Sequence, residues 1–300
     1  MQKEKVIVIL GQTATGKSNF AVKIAKQING EIISADSRQI YKGLEIGSGK
    51  VTEREMKGIP HHILDFVNPK KKFTVAQYKT LADKKIKEIL FKGKTPIVCG
   101  GTGFYIDAVV NNIVLPEVKP NLKLRKELEK KSAVELFKIL KKLDSTRAKN
   151  IDAKNKVRLI RAIEIAQTIG KVPKIKKSPA LYNFTKIGLY APNDFLENKI
   201  TKRIKKMFDK KNNGGLVNEV KKLKKSGLSD KRITELGFEY FYPLLFINKK
   251  ITEHEMIERT ILGNIQYAKR QMTWFKRDPE IQWINVSEPF SIEKVKKSNN

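Results

Sequence analysis

Gly11-Gln12-Thr13-Ala14-Thr15-Gly16-Lys17-Ser18 fits the pattern G-x-x-x-x-G-K-[ST] at every defined position, and its flanks constrain the fold more than any other stretch. Val6-Ile7-Val8-Ile9-Leu10 before it is a continuous apolar run, as expected of a strand buried on both faces of a parallel sheet. After it, Phe20, Ala21, Ile24, Ala25 and Ile28 recur at helical spacing between Asn19 and Asn29. Strand, glycine loop and helix together are the setting in which this pattern has a mechanism. The glycines let successive N–H groups converge on one concavity, and the helix adds the positive end of its dipole. Lys17 supplies a mobile full charge, and the Ser18 hydroxyl can ligate Mg²⁺ or touch a phosphate. Gly11 to Ser18 therefore reads as a site for a di- or triphosphate, the kind of loop that holds ATP in nucleotide-binding proteins.

The strand–helix alternation continues through the first hundred residues. Glu31-Ile32-Ile33-Ser34 and Thr95-Pro96-Ile97-Val98-Cys99 read as buried strands, and Phe73 to Phe91 as a long amphipathic helix. That rhythm predicts an α/β fold: a P-loop NTPase-like parallel sheet core flanked by helices. From Pro116 to Phe184 the pattern turns helical, so an all-helical insertion domain is expected over 116–184, with 1–115 and 185–300 forming the core. Lys186 to Tyr190 reads as a strand returning to the sheet, and helices are expected over Asn198–Phe208, Leu216–Lys225 and Glu253–Phe275. Ile281 to Val286 is a candidate edge strand, and the polar tail after Ser291 is expected to fray.

Charge narrows the partner. The 300 residues carry 62 Lys and Arg against 31 Asp and Glu, a net charge of +31, with an ordinary 40 % apolar content. This is a folded protein with a very basic surface, and such a surface suits a polyanion. Only eleven of the basic residues are Arg, so part of the excess reads as lysine-rich composition on solvated faces. The insertion is denser in charge, with 19 basic and seven acidic residues between Pro116 and Phe184. Cys99 is the single cysteine, which excludes a disulfide framework and a multi-cysteine zinc site. No apolar run reaches the roughly 18 residues of a membrane span. Met1 to Lys5 lead directly into a strand, which fits no signal peptide. A cytosolic protein with no membrane partner is expected, working as a monomer.

A hydrolytic NTPase normally has a strand ending in Asp that helps hold Mg²⁺. Here the best candidate strand ends in Gly100-Gly101-Thr102-Gly103, with a hydroxyl and no carboxylate. The acid appears instead after the second strand, in Ser34-Ala35-Asp36-Ser37-Arg38-Gln39. At the carboxyl end of a parallel strand it lies in the ligand crevice of an open sheet. Asp36 is either a cap for its turn, or a general base or Mg²⁺ ligand beside the phosphates.

Six ordered motifs carry a resemblance. Gln12 to Ser18, Ser34 to Tyr41, Gly58-Ile59-Pro60-His61-His62, Gly100 to Tyr105, Arg158 to Glu164, and Tyr267 to Phe275 are together similar to the motif series of the tRNA dimethylallyltransferases. The resemblance spans about residues 6–275. It implies transfer of the dimethylallyl group from dimethylallyl diphosphate to the exocyclic amine of the adenosine 3′ of the anticodon in tRNA. Mg²⁺ is the implied cofactor and the tRNA anticodon arm the implied partner, with the target base flipped from its stack. By the same resemblance Asp36 matches the general base, Ser18 orients the leaving diphosphate, and Arg203 reaches that diphosphate from the C-terminal half. Gly11 to Ser18 would hold the diphosphate. Asp36, Ser37, Arg38, Gln39, Thr102, Arg125, Val157, Arg158, Leu159, Ile160 and Arg161 fall where the family touches tRNA. A P-loop small-molecule or nucleoside kinase and a nucleic-acid-binding NTPase are the alternatives; the missing strand-end Asp disfavours the second.

Five positions depart from the family pattern. Gln12 replaces a usual Pro, Asn155 a usual Asp, Glu239-Tyr240 a basic–acidic pair, and Ile265 an Arg. His61 and His62, with Asp65 nearby, lack an evident third ligand and read as a packed turn. Trp274 and Phe275 read as a helix end packed against the sheet.

Overall fold

A computed structural model describes residues 3–174, 176–211 and 214–288; the tail after Ser291 lies outside them. The first half of the core runs β1 (Lys5–Gly11), α1 (Lys17–Gln27), β2 (Gly30–Ser34), α2 (Glu53–Met56), β3 (His61–His62), α3 (Val75–Phe91), β4 (Thr95–Cys99) and α4 (Gly103–Val110). A small unit follows, made of β5 (Ile113–Val114), α5 (Leu122–Glu129), α6 (Ala133–Leu143), α7 (Ser145–Lys149), α8 (Lys156–Ile169) and β6 (Lys176–Lys177). The core resumes with β7 (Asn183–Tyr190), α9 (Asn193–Phe208), α10 (Gly215–Lys225), α11 (Asp230–Glu235), α12 (Phe238–Ile247), α13 (Glu253–Phe275) and β8 (Gln282–Asn285).

Six strands form one sheet in the order β3-β2-β4-β1-β7-β8, every neighbour parallel. Alternation along β1 divides the core. Ile7 and Ile9 pack with Ala21, Val22, Ile24 and Ala25 of α1. Val6, Val8 and Leu10 face the opposite side, among Tyr78, Ala82 and Ile86 of α3 and residues of α9 and α13. Helix starts follow local capping chemistry. The Thr74 hydroxyl accepts the Gln77 N–H and the Gln77 side chain accepts the Thr74 N–H, so α3 begins at Val75 rather than Phe73. Helix α1 begins at Lys17, two residues before the apolar pattern, because Gly16 as N-cap takes the left-handed conformation with φ 85°. Strand β7 begins at Asn183, not Lys186, since Lys5 to Ile7 pair with Asn183 to Thr185. Strand β8 is the edge strand read in Ile281 to Val286.

The chain divides into two compact units, 1–112 with 179–300, and 113–178. The expected 116–184 boundary therefore moves: Tyr182 and Phe184 pack with the core. The smaller unit is also not all-helical, because Ile113–Val114 pairs antiparallel with Lys176–Lys177. Its own core gathers Leu128, Leu136, Leu140, Leu159 and Ile163.

One buried charge steadies the edge of the sheet. Glu31 of β2 is 1 % exposed, and its carboxylate meets His62 Nε2 at 2.7 Å, Lys94 Nζ at 2.8 Å and Lys92 Nζ at 3.5 Å. Burial alone would raise its pKa, but these partners outweigh burial and hold it at about 2. A carboxylate depressed by folding stabilises the fold above its unfolded pKa and loses that contribution on acidification. Glu31→Gln is expected to cost about 1–3 kcal/mol at pH 7. The difference from wild type should shrink as pH falls from about 4.5 towards 2, measured by urea unfolding across pH.

Candidate functional site

The phosphate loop leaves β1 at Gly11 and enters α1 at Lys17. Ala14 (φ 62°) and Gly16 (φ 85°) both take left-handed conformations, which turns alternate peptide N–H groups into a shared hollow. The Thr15 hydroxyl donates to the Gln12 carbonyl at 2.8 Å, and Lys17 Nζ donates to the same oxygen at 2.6 Å. Gln12, where a Pro is usual, is 3 % exposed, and the closing acceptor is its backbone carbonyl, which a Pro would also present. Burial brings the Lys17 pKa down to about 8, opposed by the nearby Cys99 and assisted by Arg203. Burial also pushes the Cys99 thiol up to about 12, which leaves it inert at neutral pH.

Arg203 of α9 reaches this loop from the C-terminal half. Its Nη1 donates to the Thr13 hydroxyl at 3.0 Å, and burial lowers its pKa against the opposing fields of Glu239 and Asp36. The Thr13 N–H, expected to face phosphate, is instead bonded to Gln271 Oε1 of α13 at 2.7 Å. Within Gly11 to Ser18, the Thr13 N–H is thus engaged by α13.

The Asp36 turn sits past the end of β2. Asp36 Oδ1 accepts the Arg38 N–H at 2.7 Å and the Gln39 N–H at 3.3 Å. Asp36 therefore caps its own turn, and that fixes its carboxyl group in the crevice. Thr102 ties this turn to the loop after β4, its hydroxyl accepting the Ser37 N–H at 3.0 Å. Gln39 Nε2 donates to the Gly49 carbonyl at 3.1 Å. The 44–49 loop is held from beneath by Glu219 of α10, which accepts the N–H groups of Glu45, Ile46 and Gly47 and the Tyr240 hydroxyl at 2.6–3.1 Å.

Glu239 enters the same space from α12. Its carboxyl interacts with Arg38, Arg203 and Asp36, and burial pushes its pKa up to about 7. Tyr240, the second departure of that pair, spends its hydroxyl on Glu219. Ile265 lies partly buried against the core, an apolar contact in place of the usual guanidinium. His62 is bonded to Glu31, His61 Nδ1 pairs with the Ile59 carbonyl at 2.8 Å, and Trp274 Nε1 donates to Asp107 at 3.1 Å.

The smaller unit carries the remaining expected RNA contacts, and the structure sorts them. Val157 and Arg158 are exposed, whereas Leu159 and Ile160 are buried in the unit's core, so their side chains are structural. The apolar positions of α8 fall on its inner face, which the motif alone did not separate from the outer. Arg125 grips Glu164 through Nε at 2.8 Å and Nη2 at 2.6 Å, and Arg161 binds the same carboxylate. Both arginines are thus engaged within the unit. Asn155 accepts the Arg158 N–H at 3.1 Å; it caps α8 as Asp would, so the departure leaves the turn intact.

Among the described residues no group of three or more His, Cys, Asp and Glu could hold a metal ion. A carboxylate cage is absent from them, and the donors near the loop are the Ser18 hydroxyl and the Asp36 carboxylate. That set fits Mg²⁺ carried on substrate phosphates, the usual mode for this ion. No helix among the described residues is long and apolar enough to cross a membrane.

A phosphate loop on the first strand of an all-parallel sheet, with a carboxylate on the next strand and an arginine from the C-terminal half, defines a P-loop α/β protein of the group-transfer kind. Residues 39–278 match the family described as IPP transferase, and the chain belongs to that family. It is 41 % identical to a tRNA dimethylallyltransferase of Acetivibrio thermocellus, over 98 % of this chain and 96 % of that one. Identity to the Anoxybacillus flavithermus tRNA dimethylallyltransferase is 39 %, over 97 % and 93 %. Among solved structures, the tRNA isopentenylpyrophosphate transferase of Bacillus halodurans superposes with TM-score 0.74 at 34 % identity, over 99 % and 95 % of the two chains. A eukaryotic dimethylallyltransferase acting on tRNA superposes with TM-score 0.76 at 26 % identity, over 94 % of this chain and 74 % of that one.

The Lys17 pKa gives a direct test. A bound diphosphate needs the ammonium form, so affinity for inorganic pyrophosphate should fall as pH rises through about 8. Binding near pH 8 should take up protons, seen as a buffer-dependent heat in calorimetry. Lys17→Met is expected to lower affinity at pH 7 by roughly tenfold or more and to abolish the uptake.

Proposed function

We propose that this protein transfers the dimethylallyl group from dimethylallyl diphosphate to the exocyclic amine of the adenosine 3′ of the anticodon in tRNA. The observation that carries the reading is the placement of Asp36. A carboxylate stands beside a phosphate loop, while the neighbouring strand β4 ends in glycines and Thr102 with no acid to serve nucleotide hydrolysis.

In this reading the adenine amine attacks C1 of the prenyl group as the C1–O bond breaks and pyrophosphate leaves. One proton from the amine passes to the Asp36 carboxylate, which its turn N–H groups hold in place. The N–H groups from Ala14 to Ser18, Lys17 and Arg203 receive the negative charge that develops on the leaving oxygen. Donors set in advance in a dry pocket act most strongly here, and losing one costs about 10²–10³ in rate. Ser18 orients the diphosphate and helps hold Mg²⁺, which when bound neutralises phosphate charge. Ser37, Arg38, Gln39 and Thr102 line the approach of the target base, while Val157 and Arg158 offer an exposed edge of the smaller unit to the anticodon arm. The working enzyme is taken as a cytosolic monomer.

Incubation with unmodified tRNA, dimethylallyl diphosphate and Mg²⁺, followed by nucleoside mass spectrometry, should yield an adenosine enlarged by one C5 prenyl unit; ATP turnover without that product would defeat the reading. Asp36→Ala should leave tRNA affinity within a few-fold and lower kcat by about 10²–10⁴. Affinity for tRNA should fall by roughly 0.7–0.9 log units per log unit of salt for each phosphate contacted, measured by filter binding from 50 to 300 mM salt.

A further inference from the structure

Gln271 stands one turn beyond Tyr267 on α13 and is 5 % exposed. Its amide is used at both ends. Oε1 accepts the Thr13 N–H at 2.7 Å, and Nε2 donates to the Gly101 carbonyl at 2.9 Å. The two backbone groups belong to different loops, one after β1 and one after β4. Tyr267 supports the second from the same helix face, its hydroxyl 3.3 Å from the Gly101 carbonyl.

The fit is close. A Cβ on Gly101 would lie 2.3 Å from Gln271 Nε2, so the glycine makes room for this side chain. The amide presents its acceptor and its donor on separate atoms, so one side chain serves a backbone N–H and a backbone C=O on two different loops. A carboxylate would hold the N–H and repel the carbonyl, and an aliphatic side chain would satisfy neither.

Both bonds lead to the reacting groups. From Thr13 the chain of contacts runs to Arg203, 3.0 Å from the Thr13 hydroxyl. From Gly101 it runs through Thr102 to the Ser37 N–H at 3.0 Å, next to Asp36. We infer that Gln271 is a positioning residue for prenyl transfer, a joint that sets the separation between the phosphate loop and the turn bearing the proton acceptor. The inference rests on the proposed function for its catalytic consequence, and on the two hydrogen bonds for the joint itself. Misplacing reacting groups by about 1 Å can cost 10²-fold in rate. The Thr13 N–H is already taken, so its release removes no donor from the phosphate hollow.

The test compares wild type, Gln271→Leu and the near-isosteric Gln271→Glu. Transfer kinetics, pyrophosphate binding by calorimetry and amide hydrogen exchange of the loop peptide are measured on each. The expected result is a kcat loss of roughly 10- to 100-fold for Leu and a smaller loss for Glu, which keeps the Thr13 acceptor. KM for both substrates and the Kd for pyrophosphate stay within about threefold, and loop exchange quickens in Leu. A kcat within twofold of wild type in both variants overturns the inference. So does a parallel fall in kcat and pyrophosphate affinity, which would mean general loosening of the loop. Should Leu fail to fold, Glu carries the same comparison. A wild type that transfers no prenyl group counts against the proposed function instead; loop exchange unchanged in the variants then still overturns the joint.

Discussion

The site depends on hydrogen bonding that continues past the ends of three parallel strands. Within the sheet Ile9, Cys99 and Ser34 stand level across β1, β4 and β2. Beyond them the Ala35 N–H donates to the Cys99 carbonyl at 2.8 Å, Gly100 N–H to Ile9 at 3.0 Å, and Thr102 N–H to Ala35 at 3.1 Å. Buried backbone groups must be paired, so these bonds leave the three loops little freedom over their first residues. The phosphate loop, the Asp36 turn and the glycine loop emerge side by side as a consequence. Everything else at the site, from Thr102 on Ser37 to Gln271 across Thr13 and Gly101, tightens an arrangement that the ladder has already set.

That arrangement gathers cations in a half-buried crevice. Lys17 and Arg203 are both pulled towards their neutral forms by burial, a cost the folded chain carries before any ligand arrives. Glu239 and Asp36 offset part of it, and Glu239 is itself destabilised as an anion. An acid thus stands among these cations where the family pattern has a base. In the smaller unit a different solution appears: Glu164 is fully buried, and Arg125 and Arg161 hold it ionised despite the burial that would neutralise it. Those two arginines serve the fold of that unit first.

Much of this was legible from local pattern. The apolar run of β1, the bounds of β4 and α13, and the acid after β2 follow from periodicity and side-chain chemistry, which act over a few residues. The limits of β7 did not, because Asn183 and Thr185 carry no apolar signal and join the sheet only by pairing with Lys5 and Ile7. The smaller unit's extent shifted for the same reason, and its β5–β6 ladder joins residues more than sixty apart in the chain. Leu159 and Ile160 share a motif with exposed Val157 and Arg158, and only packing assigns them to the core.

What the amino-acid order determined by itself is the presence of a phosphate loop between a buried strand and a helix, a carboxylate at the end of the next strand, and a strongly basic surface. What only the tertiary structure decided is which groups remain free to meet a substrate. Thr13 has its N–H taken by a glutamine 258 positions later, Arg203 finds the loop from α9, and Glu239 faces Asp36 from α12. Local sequence sets what each segment can form, because dihedral preference and side-chain period are short-range. The pairing of polar groups across the fold is set by which elements pack together, and no residue's neighbours in the chain reveal that.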